Sequence, residues 1–189
     1  MWNLPNLLTM SRLVLAVIYF WLLTMATTSA HDAAVAVFIV AGVTDIMDGW
    51  LARRWNVATA FGRMADPLID KILIIGGFFY FSEGNSAGIV QFWMVLLVLG
   101  RELVVTSMRF IAESKGNKFA ATIFGKTKMF IQFVTLVYLP IYLGHFRGNW
   151  LGQGVAVGLT WTMVVATFLS AVPYLIRARV LMRGTTPNA

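Results

Sequence analysis

Four stretches of this chain, residues 13–30, 84–100, 129–144 and 148–176, carry no formally charged side chain. A helix crossing the hydrocarbon core of a bilayer needs about 20 mostly apolar residues, and each run reaches that length once its flanks are included. Charged residues make up 12% of the chain, against roughly 25% in soluble domains. The fold class this predicts is an all-α integral membrane protein with six transmembrane helices. The approximate spans are 8–29, 33–54, 61–82, 88–113, 119–144 and 150–178. The opening "MWNLPNLLTMSR" places Trp2, Leu4, Leu7 and Leu8 around a proline at position 5. It is expected to form a short interfacial segment along the headgroup layer, the alternative being a frayed terminus. The first apolar run is too long, and too poor in a small-residue cleavage end, to read as a signal peptide, so it is taken as a retained span.

Charge orients the bundle. With the N-terminus in the cytoplasm, Arg53, Arg54, Lys115, Lys118, Arg177, Arg179 and Arg183 all fall inside, while the three outer loops hold one basic residue, Arg147. That distribution follows the positive-inside rule. It also disposes of the nucleic-acid reading that a net charge of +7 invites, because basic residues on a membrane chain face anionic headgroups. The chain has no cysteine, which excludes disulfides and thiolate metal sites. Without repeats, low-complexity segments or a linker, residues 1–189 are expected to form a single membrane domain.

Against this scarcity of charge, "DIMDGWLARRWNVATAFGRMADPLID" holds four of the chain's eight carboxylates within 26 residues. Asp45, Asp48, Gly49 and Ala52 are spaced i, i+3, i+4, i+7 and share a helix face; Asp66 and Asp70, at i and i+4, share a face of the next helix. A short connection packs two such helices antiparallel, which would let the two acidic faces meet near the cytoplasmic surface. Carboxylates that close cannot all stay ionised unaided. A divalent cation resolves the repulsion, and hard oxygen ligands suit Mg²⁺, Mn²⁺ or Ca²⁺. Two ions sharing the acids would suit phosphoryl chemistry, with Mg²⁺ or Mn²⁺ the expected pair. Gly49 and Ala52 leave the acidic face without bulk, so a nucleotide or pyrophosphate can approach. Arg53 stands one turn beyond Gly49, where it can pair with phosphate oxygens, and Gly62 permits a close approach or tight turn. Taken singly, Asp45 could pair with a basic residue or serve a transporter, and the two glycines could serve helix packing. A divalent-ion transporter would use the same acids but gives no reason for Gly49, Arg53 and Gly62 at those spacings.

The ordered pattern Asp45-x-x-Asp48-Gly49-x-x-Ala52-Arg53, eight residues, Gly62-x-x-x-Asp66-x-x-x-Asp70 resembles the signature of the CDP-alcohol phosphotransferases. The resemblance implies a membrane enzyme that displaces CMP from a CDP-activated lipid with an alcohol. In that family the aspartates hold two divalent metal ions against the pyrophosphate, which assigns Asp45, Asp48, Asp66 and Asp70 as metal ligands. The last aspartate, Asp70, is the expected catalytic base for the acceptor hydroxyl. The same resemblance places Gly49, Ala52, Arg53, Thr59 and Gly62 against the CDP-lipid. Through "PNLLTMSR" it adds Asn6 and Thr9, and it implies a homodimer.

The acceptor is read from a second group of charges. Arg101 and Arg109 lie eight residues apart, close to one face of the fourth helix, and Lys126 and Lys128 open the fifth. Together they could bind a second phosphate, as glycerol 3-phosphate would require. Lys126 and Lys128 could instead be ordinary positive-inside anchors. Arg101 and Glu102 could be a structural pair, although adjacent helical residues are expected to point apart. "RELVVTSMR" followed by "GKTKMFIQ" also resembles the phosphatidylglycerophosphate synthase branch of the family, with Met129 where threonine is usual. The expected reaction is transfer of phosphatidyl from CDP-diacylglycerol to glycerol 3-phosphate. Phosphatidylinositol phosphate synthases and cardiolipin synthases share the aspartate signature and stay open as alternatives.

Overall fold

A computed structural model describes residues 4–55, 60–86, 88–114 and 123–182 of the protein. Six α-helices follow one another: α1 (Leu4–Thr24), α2 (Thr28–Trp55), α3 (Ala60–Tyr80), α4 (Phe92–Ser114), α5 (Ile123–Ile141) and α6 (Trp150–Met182). Among the described residues there is no strand. Each helix falls on one of the six spans expected from the apolar runs. The separate N-terminal segment does not appear: α1 runs unbroken from Leu4. Pro5 lies in its first turn, where a missing N–H costs no intrahelical bond and the fixed φ favours helix.

Among the described residues, two helical stretches, Ile123–Phe146 and Trp150–Tyr174, are long and apolar enough to cross a membrane, and Met10–Thr24 is a shorter apolar stretch. Helices α3 and α4 are interrupted by the charges that make the chain unusual, Asp66, Asp70 and Lys71 on one and Arg101, Glu102 and Arg109 on the other. Large apolar side chains point away from the bundle, with Phe110 at 75% and Trp150 at 77% exposure. Such contiguous outward apolar surface suits lipid rather than water.

Among the described residues the helices form a closed ring in the order α1, α2, α5, α6, α4, α3, and α3 also leans across to α5. The side chains of the halves of α2 and α3 whose acidic faces were expected to meet lie largely outside the described residues; among the described residues α1 packs on both α2 and α3. Glycines show why. A Cβ at Gly76 of α3 would lie 2.6 Å from Phe20 of α1, and one at Gly42 of α2 would lie 2.6 Å from Phe133 of α5. These positions let aromatic rings seat against bare backbone, and close approach at small residues is a main source of helix association where lipid competes for apolar surface. Tyr19, Phe38 and Phe133 stack through the middle at centroid separations of 5.1 and 5.0 Å.

The ends of the bundle differ. At one, α3 passes into a turn at Phe81–Asn85 in which Gly84 takes φ 87°, and buried Ser86 accepts from Val90 N at 3.0 Å while donating to Phe81 O at 2.8 Å. There, His145 Nε2 and Asp32 Oδ1 are 2.7 Å apart and Thr28 Oγ1 donates to Gly144 O at 3.1 Å, tying α2 to the turn after α5. The other end carries the α2–α3 and α4–α5 connections and most of the basic residues; the candidate site residues lie toward it.

Candidate active site

Asp45 projects from the half of α2 nearer the basic end and accepts a hydrogen bond from Arg12 Nη1 of α1 at 2.6 Å. Arg12 is 3% exposed, whereas the Asp45 side chain is 41% exposed. The pairing of Asp45 with a basic residue, one of the alternatives for this acid taken alone, is therefore present. Charge is rare enough in α1 that Arg12 stands out, but nothing in its local sequence names its partner. Asp48 follows Asp45 by one turn of α2, and Asp66 and Asp70 are one turn apart on α3. The side chains of those three acids lie outside the described residues, as do those of Asn6, Thr9, Ala52, Arg53 and Arg109. The packing around Gly49 and Gly62 is likewise outside them, and Thr59 falls between two described segments.

Next to Asp70, Lys71 Nζ donates to Thr106 Oγ1 of α4 at 2.7 Å. One turn back along α4, Glu102 accepts from Arg101 Nη1 at 3.0 Å and from Lys128 Nζ of α5. Adjacent helical positions were expected to point apart, and the structure corrects this: the Arg101–Glu102 pair is formed. The spacing argument holds for Cβ directions, but arginine's long side chain swings its guanidinium round to its neighbour's carboxylate. Arg101 is also held from α6, where it lies 5.7 Å from the centre of the Tyr174 ring and its Nη2 reaches the Ser170 carbonyl at 3.5 Å. The cluster is buried, with side-chain exposures of 9% for Arg101, 18% for Glu102 and 3% for Lys128.

Of the four cations expected to bind the acceptor, Arg101 and Lys128 come together through Glu102, while Lys126 is exposed on α5. Glu102, Arg12 and Lys71 were not among the site residues read from the sequence. The signal available for each was a charge interrupting an apolar helix.

The donor set can be tested against a divalent cation. Among the described residues Asp45 is the sole member of the four acids whose side chain is placed, and no three ligating side chains gather there. Asp45 itself fits: it is a hard oxygen donor, partly open to solvent, and the repeated i, i+3 and i, i+4 spacing puts three more carboxylates on two helix faces.

Apolar outer faces around a buried set of charges are the features of a membrane protein. Comparison gives its kind: the CDP-alcohol phosphatidyltransferase family model matches residues 2–175, and the chain belongs to that family. It is 33% identical over 183 residues to the CDP-diacylglycerol–glycerol-3-phosphate 3-phosphatidyltransferase of Shigella flexneri serotype 5b (strain 8401), covering 94% of this chain and 95% of the relative. A protein of the same name from Escherichia coli (strain K12) is 33% identical over the same length. Another, from Bacillus subtilis (strain 168), is 32% identical over 177 residues, 85% of this chain and 90% of the relative.

Proposed function

We propose that this protein transfers the phosphatidyl group of CDP-diacylglycerol to glycerol 3-phosphate and releases CMP. The observation that carries this reading is the similarity, over nearly the full chain, to enzymes bearing that activity as their name. The buried cationic cluster supports it, since an acceptor that is itself a phosphate monoester needs positive charge apart from the carboxylates.

In the proposed reaction a hydroxyl oxygen of glycerol 3-phosphate attacks the phosphorus that bears the diacylglycerol. The bond from that phosphorus to the bridging oxygen of the pyrophosphate breaks, and CMP leaves with the oxygen. Asp70 takes the hydroxyl proton, as a base within hydrogen-bond reach. Asp45, Asp48, Asp66 and Asp70 would hold divalent cations, two Mg²⁺ or Mn²⁺ ions, which when bound neutralise phosphate oxygens. Asn6, Thr9, Gly49, Ala52, Arg53, Thr59 and Gly62 are assigned to the CDP-lipid, and Arg101, Arg109, Lys126 and Lys128 to the acceptor phosphate. The chain is read as one domain with six membrane spans, in the cytoplasmic membrane, its carboxylates facing the cytoplasm, working as a homodimer.

The test is turnover by purified protein with CDP-diacylglycerol and a divalent cation across several acceptors. Phosphatidylglycerophosphate formed from glycerol 3-phosphate is the expected product. Turnover with inositol phosphate or phosphatidylglycerol but not with glycerol 3-phosphate would overturn the acceptor assignment and leave the family reaction standing.

A further inference from the structure

Among the described residues, the Arg101–Glu102–Lys128 cluster combines two cations with one carboxylate, a net charge of +1 held inside a bundle whose outer faces are apolar. Buried charge is costly unless it is compensated, and an unbalanced buried cation calls for an anion. Two buried donors beside the cluster have no hydrogen-bond partner among the described residues, Arg101 Nε and Gln132 Nε2. Gln132 is 1% exposed and follows Lys128 by one turn of α5, so it shares that face. Both unpartnered groups donate, so the ligand they suit is rich in acceptor oxygens. Lys126, two positions before Lys128, is exposed instead.

We infer that Glu102 is a positioning residue for the acceptor: it holds Lys128 of α5 and Arg101 of α4 at one place so that both meet the acceptor's phosphate, with Gln132 donating to the same ligand. The inference deepens the proposed function and rests on it. The physical need is plain. Without the carboxylate, two like charges would repel each other, and Lys128 would leave the fixed orientation that a dianionic phosphate requires. Arg101 is restrained from the α6 side by Ser170 and Tyr174, so Glu102 needs to set one mobile cation, Lys128, against one fixed one.

The experiment uses the full-length protein in detergent with CDP-diacylglycerol, glycerol 3-phosphate and Mg²⁺, comparing wild type, Glu102→Gln, Glu102→Asp and the double variant Glu102→Gln with Lys128→Met. Glu102→Gln is expected to raise the KM for glycerol 3-phosphate at least tenfold while the KM for CDP-diacylglycerol stays within twofold, and Glu102→Asp to recover most of the loss. An unchanged acceptor KM, or equal rises in both KM values, overturns the inference. The double variant removes both charges of the pair, so it decides the matter if Glu102→Gln does not fold. In the double variant, a wild-type melting temperature with a raised acceptor KM supports a Glu102–Lys128 pair that serves the acceptor; a wild-type acceptor KM shows that neither charge does and overturns the inference. Wild-type protein that makes no product from glycerol 3-phosphate defeats the proposed acceptor, and this inference with it; wild-type turnover with an unmoved Glu102→Gln KM defeats this inference alone.

Discussion

Asp45 and Glu102 are both carboxylates among apolar helices, yet their surroundings give them different work. Asp45 pairs with Arg12 and has a partly open side chain. Glu102 holds two cations and is largely enclosed. Breaking a buried ion pair by removing one partner costs about 3–5 kcal/mol, and less where water can replace the lost partner. Arg12→Met is therefore expected to lower stability by about 1–2 kcal/mol, since the Asp45 side chain is partly exposed. If Asp45 ligates a cation, added Mg²⁺ should raise the variant's melting temperature, because a ligand that binds the folded state stabilises it by mass action. A melt that Mg²⁺ does not move would count against Asp45 as a ligand. Asp70→Asn removes the proposed base but keeps the side chain's shape. Turnover is expected to fall by about 10²–10⁴-fold, the usual contribution of a positioned base, with binding of CDP-diacylglycerol retained; wild-type turnover would refute the assignment. The acids were legible because their spacing is local. Their partners were not, since a side chain's reach to another helix leaves no trace in spacing, and even the neighbouring Arg101–Glu102 pair escaped an argument built on Cβ directions.

Among the helices, small residues decide who packs on whom. Gly76 and Gly77 of α3 face Phe20 of α1 and Leu136 of α5, and Gly42 of α2 faces Phe133 of α5. Gly42→Leu would drive a branched side chain into the Phe133 ring, which already stacks on Phe38. Overpacking of this kind costs about 1–3 kcal/mol, so a lowered melting temperature in detergent is expected. Gly100→Ala is the contrast: a Cβ there meets nothing within 4 Å, and helix propensity favours alanine by about 1 kcal/mol. Equal melts for Gly42→Leu and wild type would show that α2 and α5 are not in close contact there. The six helices themselves were readable from the apolar runs, and α1 departed from expectation by absorbing the interfacial segment, because a first-turn proline is compatible with helix.

For the molecule as a whole, the distribution of basic residues is the argument for orientation, and the absence of cysteine makes it testable without a background. Asn149→Cys, in the exposed turn before α6, is expected to react with a membrane-impermeant maleimide in intact cells. Arg179→Cys, near the far end of α6, is expected to react only after the membrane is opened. The reverse pattern would place the carboxylates on the opposite side from the cytoplasm and contradict the positive-inside reading. The ring of helices gives this orientation its consequence, since the ion-paired Asp45 and the Glu102 cluster both lie toward the basic end.

From the sequence alone came the properties that repeat along a chain or depend on near neighbours. These are the uncharged runs long enough to span a bilayer, the acids paired at helical spacing, and the concentration of cations between alternate helices. Local geometry carries them, so no knowledge of packing is required. Tertiary structure alone decided that α1 packs on both acidic helices, that Arg12 meets Asp45, and that Glu102 gathers Arg101 and Lys128. Those choices are made by aromatic rings seated on glycines and by long side chains bridging helices, contacts between residues as far apart in sequence as Gly42 and Phe133.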